Sequence, residues 1–214
     1  MKCRAVWVVA SIIVMVWSSP AQETGRVLHL PRPDTSGGKP LMQALKERRS
    51  SRSFSTHALP EQVLSNLLWA AFGINRPDGH RTAPSARNWQ EMSIYAVMEG
   101  GAYLYHAETH SLTLVAGGDL RAKTGTQSFV TRAPLDLVYV ADLTRVEART
   151  EEDRGFYTGA DCGFIAQNVY LYCASEGLAV VVRASVDKPA LAAALGLTEN
   201  HRIVLSQTVG YPEQ

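Results

Sequence analysis

Three stretches of the chain carry residue types that could do chemistry. In Glu47-Arg48-Arg49-Ser50-Ser51-Arg52-Ser53-Phe54, three arginines and two serines fall within five residues. Such a cluster can surround a phosphate with charge-assisted hydrogen bonds, because each guanidinium offers a planar fork of donors. A solvated basic helix end would be spelled the same way, and Phe54 is the feature that favours a turn anchored on a core. The second stretch is Thr82-Ala83-Pro84-Ser85-Ala86-Arg87-Asn88-Trp89-Gln90. Here Pro84 fixes the backbone, Ser85 and Ala86 allow close approach to a flat ligand, and Asn88 and Gln90 offer amide donors and acceptors. A plain connection fits this stretch equally well. The third runs from Gly159 to Asn168, with small residues at 159, 160, 163 and 166. They would let another helix or a ring system pack closely, and a tight core or subunit interface would need the same residues.

Other chemistries lack their residues. His106 and His110 are four apart but flank a predicted turn, the remaining histidines are isolated, and no spacing resembles a zinc site. There is no Gly-x-Ser-x-Gly, no phosphate loop ending Gly-Lys-Ser/Thr and no Gly-x-Gly-x-x-Gly. No side chain is nominated as a general acid or base.

The elements that must position these stretches follow from apolar spacing. A helix is expected from Pro40, with Leu41, Leu45 and Met42 facing inward and Lys46, Arg48 and Arg49 at its negative end. A second begins near Pro60, carries Val63, Leu64, Leu67, Leu68 and Ala71 on one face, and stops at Gly73. Residues 74–90 read as a long loop. Strands are expected at Ser93–Met98, Ala102–His106 and Ser111–Val115, joined by hairpin turns, and a short helical piece at about 119–130. The continuously apolar Leu135–Ala141 should be a central strand buried on both faces. The longest helix spans Glu151–Glu176 and ends at Gly177; its second half is apolar or small nearly all round, which marks burial on more than one side. A strand at Leu178–Arg183, a short helix capped by Asp187 and a last strand at His201–Val209 complete the chain. The class is α+β, with helices on one mostly antiparallel sheet.

Length and composition agree with that class. At 214 residues, 46% apolar and 19% charged, the chain can bury one core and is not intrinsically disordered. A formal charge of +1 gives no basic field for nucleic acid. Lys2 and Arg4 precede the 13-residue apolar run Ala5–Trp17, then Ser18-Ser19-Pro20-Ala21. This is the pattern of a Sec-type signal peptide, residues 1–21, removed after Ala21. The run is short for a membrane span, which needs about 20 residues, so an uncleaved anchor is the lesser reading. Export to the periplasm or the extracellular space is expected, with no stable membrane span after cleavage. Residues 22–38 should be an extended lead-in and 39–214 a single domain. The two cysteines left, Cys162 and Cys173, would lie about 16 Å apart on one helix. They should be unbridged and buried.

Taken in order, these motifs resemble the nitroreductase family of FMN-dependent oxidoreductases. The resemblance rests on Arg-Arg-Ser-x-Arg-x-Phe from Arg48, Pro-Ser-Ala-x-Asn-x-Gln from Pro84, Gln127-x-Phe129 before Ala133-Pro134, Ala-Gln-Asn-x-x-Leu ahead of Gly177-Leu178, and Val209-Gly210-Tyr211-Pro212. It covers residues 41–212, and the Pro-Ser-Ala form resembles the branch that includes azole-forming flavin dehydrogenases. It implies the family's nitroreductase-like fold and FMN in a cleft at a homodimer interface. Arg48, Arg49, Ser50 and Arg52 would hold the ribityl phosphate. Pro84, Ser85, Ala86 and Asn88 would edge the isoalloxazine from the partner subunit, Gln127 would meet its polar edge, and Ile165 and Ala166 would lie near N5. Electrons would pass by alternating half-reactions at N5 between a small-molecule donor and an acceptor, and export makes soluble NAD(P)H an awkward donor. Two features depart from the pattern: the chain stops at Gln214, without the further basic residue that also contacts the phosphate, and Trp89-Gln90-Glu91-Met92 replaces the usual Ser/Thr-Gln-Pro-Trp. A non-catalytic flavin-binding protein of the same fold is the alternative, and a ligand-free dimerisation module a third.

Overall fold

A computed structural model describes residues 24–213. The expected signal segment, residues 1–21, lies outside them. Seven strands form one sheet: β1 (Val27–His29), β2 (Met92–Met98), β3 (Gly101–His106), β4 (Ser111–Gly117), β5 (Leu135–Asp142), β6 (Ala179–Arg183) and β7 (His201–Gly210). Their order is β1-β4-β3-β2-β5-β7-β6, and every neighbouring pair is antiparallel. The four α-helices are α1 (Leu41–Glu47), α2 (Glu61–Phe72), α3 (Glu151–Glu176) and α4 (Lys188–Ala194).

Alternation along β5 builds a core on each side of the sheet. Leu135, Leu137 and Tyr139 face α2 and α3, meeting Leu67, Leu68, Ile165 and Val169. Val138 and Val140 face the other way, toward Leu191 of α4 and Leu195 just after it. The expected central strand is therefore confirmed, buried on both faces. Tyr139 Oη donates to Gln207 Oε1 at 2.5 Å, and Gln207 Nε2 donates to the Ala166 carbonyl at 3.2 Å, so one buried polar chain ties the sheet to α3.

Helix ends follow local chemistry. Thr150 Oγ1 accepts from Asp153 N at 3.0 Å, and Glu151, Glu152 and Asp153 sit at the positive end of α3. Its far end closes on Gly177 at φ 71°, a left-handed position suited to glycine. Gly73 ends α2 for a different reason: its backbone is extended, and a Cβ there would meet Trp69 Cδ1 at 2.4 Å. Cys162 and Cys173 are free and buried; burial pushes the Cys162 thiol up to about 12 and Cys173 higher still.

Three expectations are corrected. The lead-in contains a strand, β1, paired with β4 through Val27–Thr113 and its neighbours; three residues are too few to show an alternation. Leu41, Met42 and Leu45 do not face inward, and Met42 is 75% exposed. Of the seven residues of α1, Ala44 alone is buried. Nor is α3 covered on more than one side: Phe156 is 69% and Phe164 47% exposed, on a strip with Gly159 and Gly163. An all-round apolar composition says that a helix can be covered, not that its own chain covers it.

Candidate functional site

A cavity of about 540 Å³ opens where α1 ends, beside the C-terminal half of α3 and the edge strand β6. Lys39, Lys46, Arg48, Arg49 and Ser51 line one side; Tyr170, Ala174, Leu178, Ala179, Val180 and Pro212 line the other. The turn that presents the arginines is fixed at three points. Ser51 N donates to the Val180 carbonyl at 2.8 Å. Phe54, 1% exposed, is bridged to Pro212 and stacks at 5.5 Å on Phe129. Arg48 lies over the Tyr170 ring at 5.3 Å, and the Tyr170 hydroxyl shares a 2.8 Å hydrogen bond with Ser50 Oγ while accepting from Val182 N at 3.0 Å.

The charges in the cavity do not balance. Its one carboxylate, Glu47, takes a 2.7 Å bond from Lys39 Nζ and a 2.8 Å bond from Gln43 Nε2; the Lys39 bond, then the Gln43 bond, hold it below the usual carboxylate range. Lys46, Arg48 and Arg49 have no carboxylate partner among the described residues. Three unpaired cations beside an apolar wall can bind an anionic group attached to an apolar body.

Not every expected residue reaches this cavity. Arg48 and Arg49 line it; Ser50 stands behind it on Tyr170, and its neighbour Ser51 faces in. Arg52 is exposed and does not line the cavity. Ile165 and Ala166 are buried in the core under the sheet, which leaves them no face toward a ring. Helical periodicity explains this: the solvent-facing strip of α3 is the one holding Gly159 and Gly163.

The stretch Pro84, Ser85, Ala86, Asn88 forms a separate locus. Ser85 Oγ donates to Glu91 Oε2 at 3.1 Å and accepts from Gln90 N at 2.9 Å; Ala86 N donates to Asp161 Oδ2 at 2.8 Å; Asn88 Oδ1 accepts from Gln90 Nε2 at 2.9 Å. Asp161 and Tyr170 are nine residues apart on α3, so the loop and the cavity lie about 14 Å apart along the helix. Trp89 packs edge-on against Tyr157 of α3 at 5.5 Å.

A third polar group gathers around Gly125. A Cβ there would lie 2.4 Å from Arg183 Nε and 2.9 Å from Gln127 Oε1, so glycine is required by close approach. Arg183 Nη2 donates to Asp136 Oδ1 and to Thr124 Oγ1, each at 2.9 Å. Burial pushes Asp136 up to about 6 despite the opposing pull of Arg183. Arg183 Nε and Nη1 have no acceptor and Gln127 Oε1 has no donor, though all are buried. Sequence reasoning found Gln127 and set Lys46 beside Arg48 and Arg49 at the end of the helix, but missed Arg183, Tyr170 and Lys39. Lys39 lies just before α1 and could have been read as a further cation of that cluster; nothing local marks Tyr170 or Arg183. Among the described residues no group of His, Cys, Asp and Glu could hold a metal ion.

Known proteins share both the sequence and this fold. The family model described as the nitroreductase family matches residues 45–211. A Methanocaldococcus jannaschii protein described as a nitroreductase is 34% identical over 168 residues, covering 73% of this chain and 84% of its own. A Ralstonia eutropha crystal structure so described superposes with a TM-score of 0.85 at 42% identity, over 93% of this chain and 96% of that one. The Vibrio harveyi NADPH:FMN oxidoreductase, solved with NAD+, shares the fold: 22% identity, TM-score 0.61, 81% and 69% coverage. The motifs, the seven-stranded antiparallel sheet and these matches agree, and the chain belongs to the nitroreductase family.

Proposed function

We propose that this oxidoreductase is FMN-dependent and that its cavity takes the phosphate end of the flavin. The observation that carries the reading is the set of three unpaired cations, Lys46, Arg48 and Arg49, facing an apolar wall in about 540 Å³. That donor set fits a phosphate monoester joined to an apolar body. Lys39 and Lys46 add two further cations to the cavity lining beside Arg48 and Arg49. The Vibrio harveyi protein, an NADPH:FMN oxidoreductase of the same fold, adds support from its own chemistry.

When bound, a flavin supplies two-electron redox chemistry, taking electrons from one small molecule and giving them to another. Arg48 and Arg49 would hold the phosphate, and Ser50, through Tyr170, would keep their turn against β6. Gln127 Oε1 and the free Arg183 N–H groups are an acceptor and donors that suit the alternating N–H and C=O groups of a flavin's polar edge. Ser85 is committed to Glu91 and Gln90, so the loop would offer its backbone rather than that hydroxyl. The Pro84-Ser85-Ala86 form supports a place near the branch of azole-forming flavin dehydrogenases.

The uncovered strip of Phe156 and Phe164 on α3 supports a homodimer, in which a partner's 84–90 loop would complete the site. The segment 1–21 supports export, and with it a donor other than soluble NAD(P)H. N-terminal sequencing of protein from the cell envelope should begin at Gln22.

The test is an absorbance spectrum of the purified mature protein, with the flavin identified after release. A yellow protein that bleaches with reductant and recovers with an acceptor is expected. R48A/R49A should lower FMN affinity at least about a hundredfold, because each charge-assisted bond is worth about 1.5–3 kcal/mol, while R52A should change it little. A colourless protein that takes up no FMN overturns the reading.

A further inference from the structure

Glu91 is 1% exposed and Asp161 3% exposed, and their carboxyl groups face each other within hydrogen-bonding reach. Glu91 Oε2 is bonded to Ser85 Oγ, whereas Glu91 Oε1 is buried with no donor in reach. Asp161 holds Ala86 N from the other side. The start of the 84–90 loop, Ser85 and Ala86, thus closes on one pair of acids.

That loop needs holding. Arg87, Asn88 and Gln90 have φ of 50°, 56° and 48°, a region that disfavours side chains with a Cβ. Conformations of this kind persist only where the surroundings over-determine them. At its far end Gln90 accepts from Arg81 Nε at 2.9 Å and donates to the Gly79 carbonyl at 3.1 Å, and Trp89 packs on Tyr157; at its near end, Ser85 and Ala86 are held by bonds that run to Glu91 and Asp161.

Two adjacent buried carboxyl groups cannot both ionise without strong mutual repulsion. Burial first, then the charge of Asp161, raises Glu91, and the Ser85 hydroxyl opposes this only in part. The largest influences on Glu91 include no cation. On α3 the neighbouring Cys162 is kept a neutral thiol by burial, and Lys188 of α4 acts on that thiol. At the end of β5, Asp142 meets Glu91 through its backbone, N donating to the Glu91 carbonyl at 2.9 Å, while its carboxylate caps Thr144. One proton between the two acids supplies the missing donor to Glu91 Oε1.

We infer that Glu91 and Asp161 share a single proton and act as a positioning pair that holds the 84–90 loop in its strained, ligand-ready shape. The functional consequence rests on the reading that this loop edges the cofactor; the pair itself does not. With the proton in place, Ser85 and Ala86 are fixed. Its loss as pH rises through the raised Glu91 value sets two like charges against each other and releases the loop.

The test uses the mature full-length protein with W69F, which leaves Trp89 as the reporter tryptophan outside the expected signal segment. Carbon-detected titration of the Glu91 carboxyl group should show it ionising above the usual carboxylate range. Trp89 emission should follow that transition, and E91Q, whose amide can donate to Asp161, should abolish it while keeping the loop in place. E91A, which cannot bridge, should show at all pH values the emission that the parent shows only above that transition. FMN affinity of the parent should fall at least about tenfold across the same transition, since like-charge and burial effects commonly exceed one pKa unit, and stay level in E91Q. Glu91 ionising in the ordinary carboxylate range, or a Trp89 signal in E91Q that still follows pH, overturns the inference. A Trp89 transition that E91Q removes, in a protein that takes up no FMN, supports the pair and sinks the cofactor reading.

Discussion

Tyr170 joins three parts of the site through one hydroxyl. It bonds Ser50 on the arginine turn and accepts from Val182 N on the edge strand, while its ring lies under Arg48. Removing the hydroxyl leaves Val182 N without an acceptor in a half-buried place, so Y170F should cost about 1–3 kcal/mol in denaturant unfolding. It should also lower FMN retention, because the turn loses a tether while every cation remains. A second cluster shows how residue type can mislead. Ser65 Oγ lies 2.7 Å from His110 Nε2, and His110 Nδ1 lies 3.0 Å from the Tyr105 hydroxyl, an arrangement that resembles an activated nucleophile. Ser65 is wholly buried and donates to the Pro31 carbonyl at 2.6 Å, and burial lowers His110 below its ordinary value. A serine with no access to substrate is a strut between the lead-in, α2 and the β3–β4 hairpin. His110, read from sequence only as one of two histidines flanking a turn, finds Ser65 across the fold.

Among the elements, α3 does the most. Its cap residues and first-turn acids are written locally, and its bounds match the sequence expectation residue for residue. The end at Gly177 is equally local: G177A meets nothing within 4 Å, so its cost is conformational alone. That cost should be about 1 kcal/mol, seen as a lower unfolding midpoint with an unchanged denaturant slope. Which of the small residues of α3 face outward depends on where the helix lies against the sheet. Ile165 and Ala166 therefore went to the core, while Gly159 and Gly163 stayed in the open. Likewise α1 contains the apolar residues of a core helix, yet its position against the end of α3 buries Ala44 and leaves Leu41 and Met42 outside.

For the molecule as a whole, the uncovered apolar strip of α3 sets the expected assembly. Placing a charge there, as in F164E, should shift the protein toward monomer in sedimentation without a large loss of monomer stability, since Phe164 is already half exposed. FMN retention should fall with the dimer if the partner's loop completes the site. The chain by itself determined what is local or periodic: the alternation that makes β5 a two-faced central strand, the caps of α3 and α4, and the cluster of Arg48 and Arg49 with its Phe54 anchor. Tertiary structure decided what depends on distance in space. It brought Lys39, Lys46 and Tyr170 to the arginine cavity and Arg183 to Gln127. It also set Glu91 against Asp161, seventy positions along the chain. Hydrogen bonds and charges act over a few ångströms, so residues far apart in sequence acquire their partners only when the sheet and its helices place them together.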